Sequence, residues 1–165
     1  MVTAQLNGIV LQPGQGDSYW VLGDLYTFKA VSEETNGNYA LLELVIQPQD
    51  GTPLHIHSRE AEAFFIEEGE VEFQLDDRTV VATPGTFLHS PPGQLHRFTN
   101  IGSQRAKMLC WATPAGIEKF FAAIGTKVED PNAPPPITSA DLEKVMLLAP
   151  QYGITILPPS DSSQS

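Results

Sequence analysis

Pro53-Leu54-His55-Ile56-His57-Ser58-Arg59-Glu60-Ala61-Glu62, followed by the apolar run Ala63-Phe64-Phe65-Ile66 and then Gly69, is the stretch that decides this chain. Side chains alternate faces along a β-strand, so His55 and His57 point one way and Ile56 the other. A second segment lies downstream: Gly85-Thr86-Phe87-Leu88-His89-Ser90-Pro91-Pro92-Gly93-Gln94-Leu95-His96-Arg97-Phe98-Thr99-Asn100. It sets His96 just after a Pro-Pro-Gly turn. Imidazole suits divalent zinc, copper, iron and nickel, and a carboxylate adds a hard, charged donor. Three neutral donors and one anion leave a divalent ion with residual positive charge and room for water or substrate. The expectation is one metal site built from His55, His57, Glu62 and His96. Iron, manganese, nickel, cobalt, copper and zinc all remain open as the ion, because geometry and availability choose among them.

Each residue also has a plainer reading. His55 and His57 could be a surface pair on an exposed strand. Glu62 could be a solvated acid, with Glu60 the ligand in its place. His96 by itself would more often be a satisfied polar group. His89 is expected to face solvent.

The two segments resemble the paired motifs of the cupin superfamily, the small β-barrel metalloproteins. The first motif runs Gly, five residues, His-x-His, three or four residues, Glu, six residues, Gly; His55, His57, Glu62 and Gly69 fall on it. The second runs Gly, five residues, Pro-x-Gly, two residues, His, three residues, Asn; Gly85, Pro91, Gly93, His96 and Asn100 fall on it. On this pattern Glu60 lies too close to His57, which favours Glu62. One departure is visible: Gln49 stands where the first motif opens with Gly, and the nearest glycine is Gly51. Trp20-Val21-Leu22-Gly23-Asp24, and Pro114-Ala115-Gly116 leading into Glu118-Lys119-Phe120-Phe121, extend the likeness to single-domain cupins related to quercetin 2,3-dioxygenase. That resemblance implies a metal-dependent dioxygenase of an enolic or phenolic small molecule such as a flavonol. Glu62 would then also be catalytic, taking the substrate hydroxyl proton. Fold does not fix activity, so two further readings stand: a metal-containing binding or sensing module, and a metal-dependent isomerase.

The 165 residues suffice for one domain with a real core. The formal net charge of −11 repels phosphate backbones and anionic lipid, so neither nucleic acid nor a membrane is an expected partner. No apolar run approaches the ~18 residues that a bilayer span needs. Met1 to Asn7 lacks a basic region leading into an apolar run, so no signal peptide is expected. Cys110 stands alone and cannot form an internal disulfide. A cytoplasmic protein is the expectation.

Short β-rich runs separated by Gly, Pro and Asn-Gly turns fill residues 1–112 and predict an all-β fold. With the cupin likeness, this becomes a single small jelly-roll barrel carrying its metal site within residues 55–100. Residues 113–157 differ in kind. Pro114 to Ile124, closed by Gly125, predicts one helix. Thr138 to Ala149 predicts a second, capped by Ser139 or Thr138. This C-terminal helical extension is expected to pack on the barrel, and residues 158–165 to form a flexible tail. Phe64, Ile66, Phe73, Leu75, Phe87 and Phe98 are expected in the core or the pocket wall. Cupin-like barrels often pair through strands outside the ligand set. The apolar run Tyr39–Ile46 offers such an edge, so a homodimer is expected.

Overall fold

The computed structural model describes residues 7–159. The signal-peptide reading of the first residues and most of the expected tail lie outside them. The fold is all-β with C-terminal helices, as the sequence implies, but the strands form two sheets and not one closed barrel. The seven-stranded sheet runs in the order β11-β1-β2-β3-β10-β5-β8 and the five-stranded sheet in the order β12-β4-β9-β6-β7. The strands are β1 (Asp17–Val21), β2 (Asp24–Ala30), β3 (Ala40–Ile46), β4 (His55–His57), β5 (Ala61–Glu68), β6 (Val71–Leu75), β7 (Arg78–Ala82), β8 (Phe87–Ser90), β9 (His96–Asn100), β10 (Ala106–Thr113), β11 (Thr126–Lys127) and β12 (Ile154–Ile156). Between β3 and β4 the chain carries Pro48 and Pro53, which have no N–H to give a ladder. There it leaves one sheet and enters the other.

Alternation builds the core. Ala40, Leu42, Leu44 and Ile46 of β3 and Ala106, Met108, Cys110 and Ala112 of β10 face inward, all 3 % exposed or less. Val71, Phe73 and Phe98 meet them from the five-stranded sheet. Phe64, Phe73 and Phe98 form a ring cluster with centroids 5.1–6.0 Å apart. Two expectations fail here. Phe87 is 63 % exposed, because it lies on edge strand β8 in the phase opposite to buried Leu88 and Ser90. The Tyr39–Ile46 run is no edge: β3 pairs with β2 on one side and β10 on the other. It therefore offers no free ladder to a second copy.

Helix α1 (Ser32–Thr35) is a single turn that the sequence reading passes over; it ends at Asn36 and Gly37, both with positive φ. Helix α2 (Ile117–Ile124) starts later than Pro114, which follows a cis peptide bond outside the helix. Glu118 closes the start of α2. Its buried carboxylate accepts from the Gly116 N–H at 2.7 Å and from the Ser32 N–H at 2.8 Å. Helix α3 (Ser139–Leu148) is capped by Thr138, whose hydroxyl accepts from the Asp141 N–H, while Asp141 accepts from the Thr138 N–H. The C-terminal segment is more than helical. β11 pairs with β1, and β12 pairs with β4, the strand that carries His55 and His57. No helix of the described residues is long and apolar enough to cross a membrane.

Candidate metal centre

Both sheets contribute to the site. In the five-stranded sheet β4 and β9 set His55 directly opposite His96. In the seven-stranded sheet β5 carries Glu62, opposite Ser90 of β8 and Ala112 of β10. The four side chains converge with one donor atom each, all within 4.8 Å of one another, and all four residues are buried. Glu62 Oε2 lies 2.9 Å from His96 Nε2 and 3.1 Å from His57 Nε2. The surface-pair reading of His55 and His57 fails, since they are 8 % and 4 % exposed. His89 faces solvent as expected.

The rear faces of the imidazoles explain their aim. His55 Nδ1 lies 2.7 Å from the Pro53 carbonyl, and His96 Nδ1 lies 3.0 Å from the Gln94 carbonyl. A carbonyl only accepts, so each Nδ1 carries a hydrogen, which aims each Nε2 at the centre as the atom that would ligate an ion. Ser90 Oγ adds a second contact to His96 Nδ1 at 3.2 Å. His57 Nδ1 faces Glu60 Oε2 at 3.5 Å, and neither atom has another partner among the described residues. Glu60 is thus buried behind His57 and is not among the four converging donors. Three imidazoles with backed Nδ1 atoms and a carboxylate between them are the donor set of a divalent transition ion.

The electrostatics agree with that fit. Burial pushes His55 down to about 4, and nearby His96 adds to the fall. Burial also opposes a charge on His57, but Glu62 and then Glu60 outweigh it and raise that imidazole to about 10. Burial alone would raise Glu62; the charged His57 and the His96 contact hold it well below the usual carboxylate range. Without metal, the cluster is therefore neutralised by a proton on His57. A divalent cation would take that proton's place.

The turns around the site are built for it. Gln49, at the position where the cupin motif opens with Gly, has φ +64°. That left-handed backbone explains the family's glycine. Here the Gln49 side chain secures the turn by donating to the Ile101 and Gly102 carbonyls. Asn100 serves structure as expected, donating to the Ile46 and Gln104 carbonyls and accepting from the Gly102 N–H. The loop after β4 is tied to the C-terminus: the Ser58 N–H and hydroxyl both donate to the Gly153 carbonyl.

The centre opens into a cavity of about 70 Å³ that is continuous with solvent. Phe64, Phe98 and Leu44 wall it from the sheets. Phe120, Phe121 and Ile124 of α2, Val145 of α3, and Ile154 and Ile156 of β12 close it from the C-terminal segment. Tyr39, Trp20, Arg59, Arg97 and Trp111 do not line it, and no Lys or Arg is among its lining residues. Several lining residues escaped sequence reasoning. Cys110 is a buried thiol, as expected, yet its Sγ lies 3.8 Å from Glu62 Oε1. Asp24 is 2 % exposed and lines the same cavity. Its signal was present: an acid in phase with the buried Tyr26 and Phe28 on β2.

Comparison with known proteins places this geometry. A family model described as "Cupin domain" matches residues 42–112. A quercetin 2,3-dioxygenase of Bacillus subtilis (strain 168) is 28 % identical over 120 residues, 73 % of this chain but only 35 % of that protein's length. The structure of KdgF from Halomonas sp. superposes with TM-score 0.60 at 12 % identity, covering 68 % of this chain and 98 % of that one. A predicted oxalate decarboxylase from Thermotoga maritima gives TM-score 0.58 at 18 % identity, covering 65 % and 99 %. At such identities the solved structures speak for the fold alone. The cupin-domain match thus spans residues 42–112, and the three-histidine, one-glutamate cluster lies within that stretch.

Proposed function

We propose that the protein is a metal-dependent dioxygenase of a neutral enolic or phenolic small molecule, a flavonol being the first candidate. One observation carries the reading: the buried His55-His57-Glu62-His96 cluster opens into an aromatic-walled cavity whose lining residues include no Lys or Arg. A phosphorylated or carboxylated substrate would find no Lys or Arg there. A divalent metal held by the four residues would supply a Lewis acid for the substrate oxygen. Glu62 takes the substrate hydroxyl proton. Its Oε2 is shared by two imidazoles, whereas Oε1 meets only the Cys110 thiol, so Oε1 is the oxygen free to accept. The imidazole contacts that hold Glu62 low in the metal-free cluster weaken it as a base, so the role requires an ion to engage those imidazoles in its place. Phe64, Phe98, Phe120 and Phe121 exclude water and match a planar ring system.

The test incubates iron-, manganese-, cobalt- and nickel-loaded protein with a flavonol under oxygen and follows the flavonol's visible absorbance. Turnover is expected; its absence with all four metals removes the reading. Glu62→Gln is expected to keep most of the metal and lose activity. Full activity in that variant excludes the base role. The cover of α2, α3 and β12 also suits a module that binds or senses its ligand without turnover. Oxygen consumption separates the dioxygenase from such a module and from an isomerase. A homodimer remains a proposal, now resting on Phe65 and Phe87. These sit opposite one another on β5 and edge strand β8, and are 37 % and 63 % exposed. Light scattering that shows a monomer would remove it.

A further inference from the structure

The cavity has a second polar end, away from the metal centre. Asp24 opens β2 and is 2 % exposed. Its Oδ1 accepts from the Gln47 N–H at 2.9 Å, and no protein donor reaches Oδ2 among the described residues. Asp24 lines the cavity, and so does Tyr26, two residues on along the same face. In the seven-stranded sheet β3 and β10 separate β2 from β5. Three strand spacings put their backbones about 14 Å apart. The cavity thus joins two polar ends through apolar walls.

A purely structural role accounts for only half of the Asp24 carboxyl. The Gln47 bond finishes the β2–β3 ladder, and an Asn or Ser acceptor would serve as well. The second oxygen has no protein partner among the described residues and is left to the cavity, where a ligand oxygen can reach it. Burial raises Asp24 from 3.8 to about 8 against the Gln47 bond, and Asp50 adds to the rise. The group there is a neutral acid, able both to donate and to accept.

We propose that Asp24 is a substrate-positioning residue, hydrogen-bonding a hydroxyl or carbonyl oxygen at the end of a ligand remote from the His/Glu cluster. The ligand is then elongated, uncharged at that end and oxygen-bearing at both ends: a multi-ring phenol, not a two- or three-carbon acid. The inference rests on the cavity being the substrate site of the proposed function, but not on the oxygen chemistry.

The experiment titrates zinc-loaded full-length protein with quercetin, which carries hydroxyls on its outer rings, and with 3-hydroxyflavone, which lacks them. Intrinsic fluorescence reports binding, and zinc is redox-inert, so turnover does not intervene. Wild type is expected to prefer quercetin about tenfold, the worth of one buried hydrogen bond. Asp24→Leu is expected to cut that preference below about twofold while leaving 3-hydroxyflavone affinity nearly unchanged. Asp24→Asn, which keeps a donor and an acceptor, is expected to retain it. If Asp24→Leu fails to fold by circular dichroism, Asp24→Ser and the two-ligand comparison on wild type decide. Equal affinity of wild type for both flavonols, equal weakening of both by the variant, or no binding of either overturns the proposal. Oxygen uptake by the iron-loaded protein is measured separately. An Asp24-dependent preference without oxygen uptake sinks only the dioxygenase reading; oxygen uptake without the preference sinks only this one.

Discussion

Asp24→Asn should stabilise the metal-free protein, and by an amount that depends on pH. In the unfolded chain Asp24 titrates near its ordinary 3.8; in the folded protein burial carries it to about 8. An acid with a raised folded value binds its proton more tightly when folded. Its favourable contribution is complete below the unfolded value and is lost as pH rises through the folded one. Between those limits the unfolded state has released the proton and the folded state has not. Stability therefore falls by about 1.4 kcal/mol per pH unit on account of this group. Across the window the loss reaches on the order of 5 kcal/mol. Asparagine mimics the protonated acid and keeps the acceptor for the Gln47 N–H, so the variant escapes the loss. Urea unfolding of both proteins in EDTA at pH 5.5, 6.5, 7.5 and 8.5, values chosen to climb the window and pass its upper end, gives the difference directly. The variant's advantage should grow with each step toward pH 8 and then level off. A difference independent of pH would mean that Asp24 titrates as an ordinary surface acid, and the reasoning from its burial would be wrong.

Metal binding should release about one proton per ion near neutral pH, because His57 holds a proton up to about 10 whereas His55 is already neutral above about 4. Affinity then rises with pH until His57 is deprotonated; calorimetry in two buffers of different ionisation enthalpy counts the proton, and a count of zero would show His57 neutral in the free protein. Glu60→Gln should weaken metal affinity by ~10–100-fold without removing any of the four converging donors, since Glu60 Oε2 lies 3.5 Å behind His57 Nδ1. Unchanged affinity in a competition assay with a chromophoric chelator would assign Glu60 a purely structural place.

What the sequence shows and hides follows from range. The ligands were legible because His55, His57 and Glu62 sit within eight residues, and strand alternation alone sorts the two histidines onto one face. The core of β3 and β10 was legible for the same reason. Phe87 was not, because a Phe on an edge strand and a Phe in the core look alike until the partner strand is known. Tyr39–Ile46 looked like an edge, since nothing local says that β2 and β10, far apart in sequence, will flank it. Glu60 was set aside as a ligand by its spacing, and it lies outside the converging four. Its contact with the back of His57 depends on the sharp turn between β4 and β5, which no periodicity encodes.

The C-terminal segment carries this furthest. Its two helices could be read from caps and breakers, but β12 is only three residues long, too short for its β-branched Ile154, Thr155 and Ile156 to mark a strand. Ile154 and Ile156 gain their place by pairing with His57 and His55, so the strand exists because β4 has an open edge to accept it. β4 is equally short and has a single paired residue on its other side, His55 with His96. Two marginal strands thus hold each other, and a hydrophobic closure is the result: Ile154 and Ile156 line the cavity beside Phe120, Phe121 and Val145. The metal motif and its cover are one structural unit, joined further by the Ser58 bonds to the Gly153 carbonyl. It follows that the ligand geometry of His55 and His57 depends on residues nearly a hundred positions downstream. A chain cut at Thr113 would keep all four converging side chains and lose both the strand that aligns two of them and the apolar wall of the cavity.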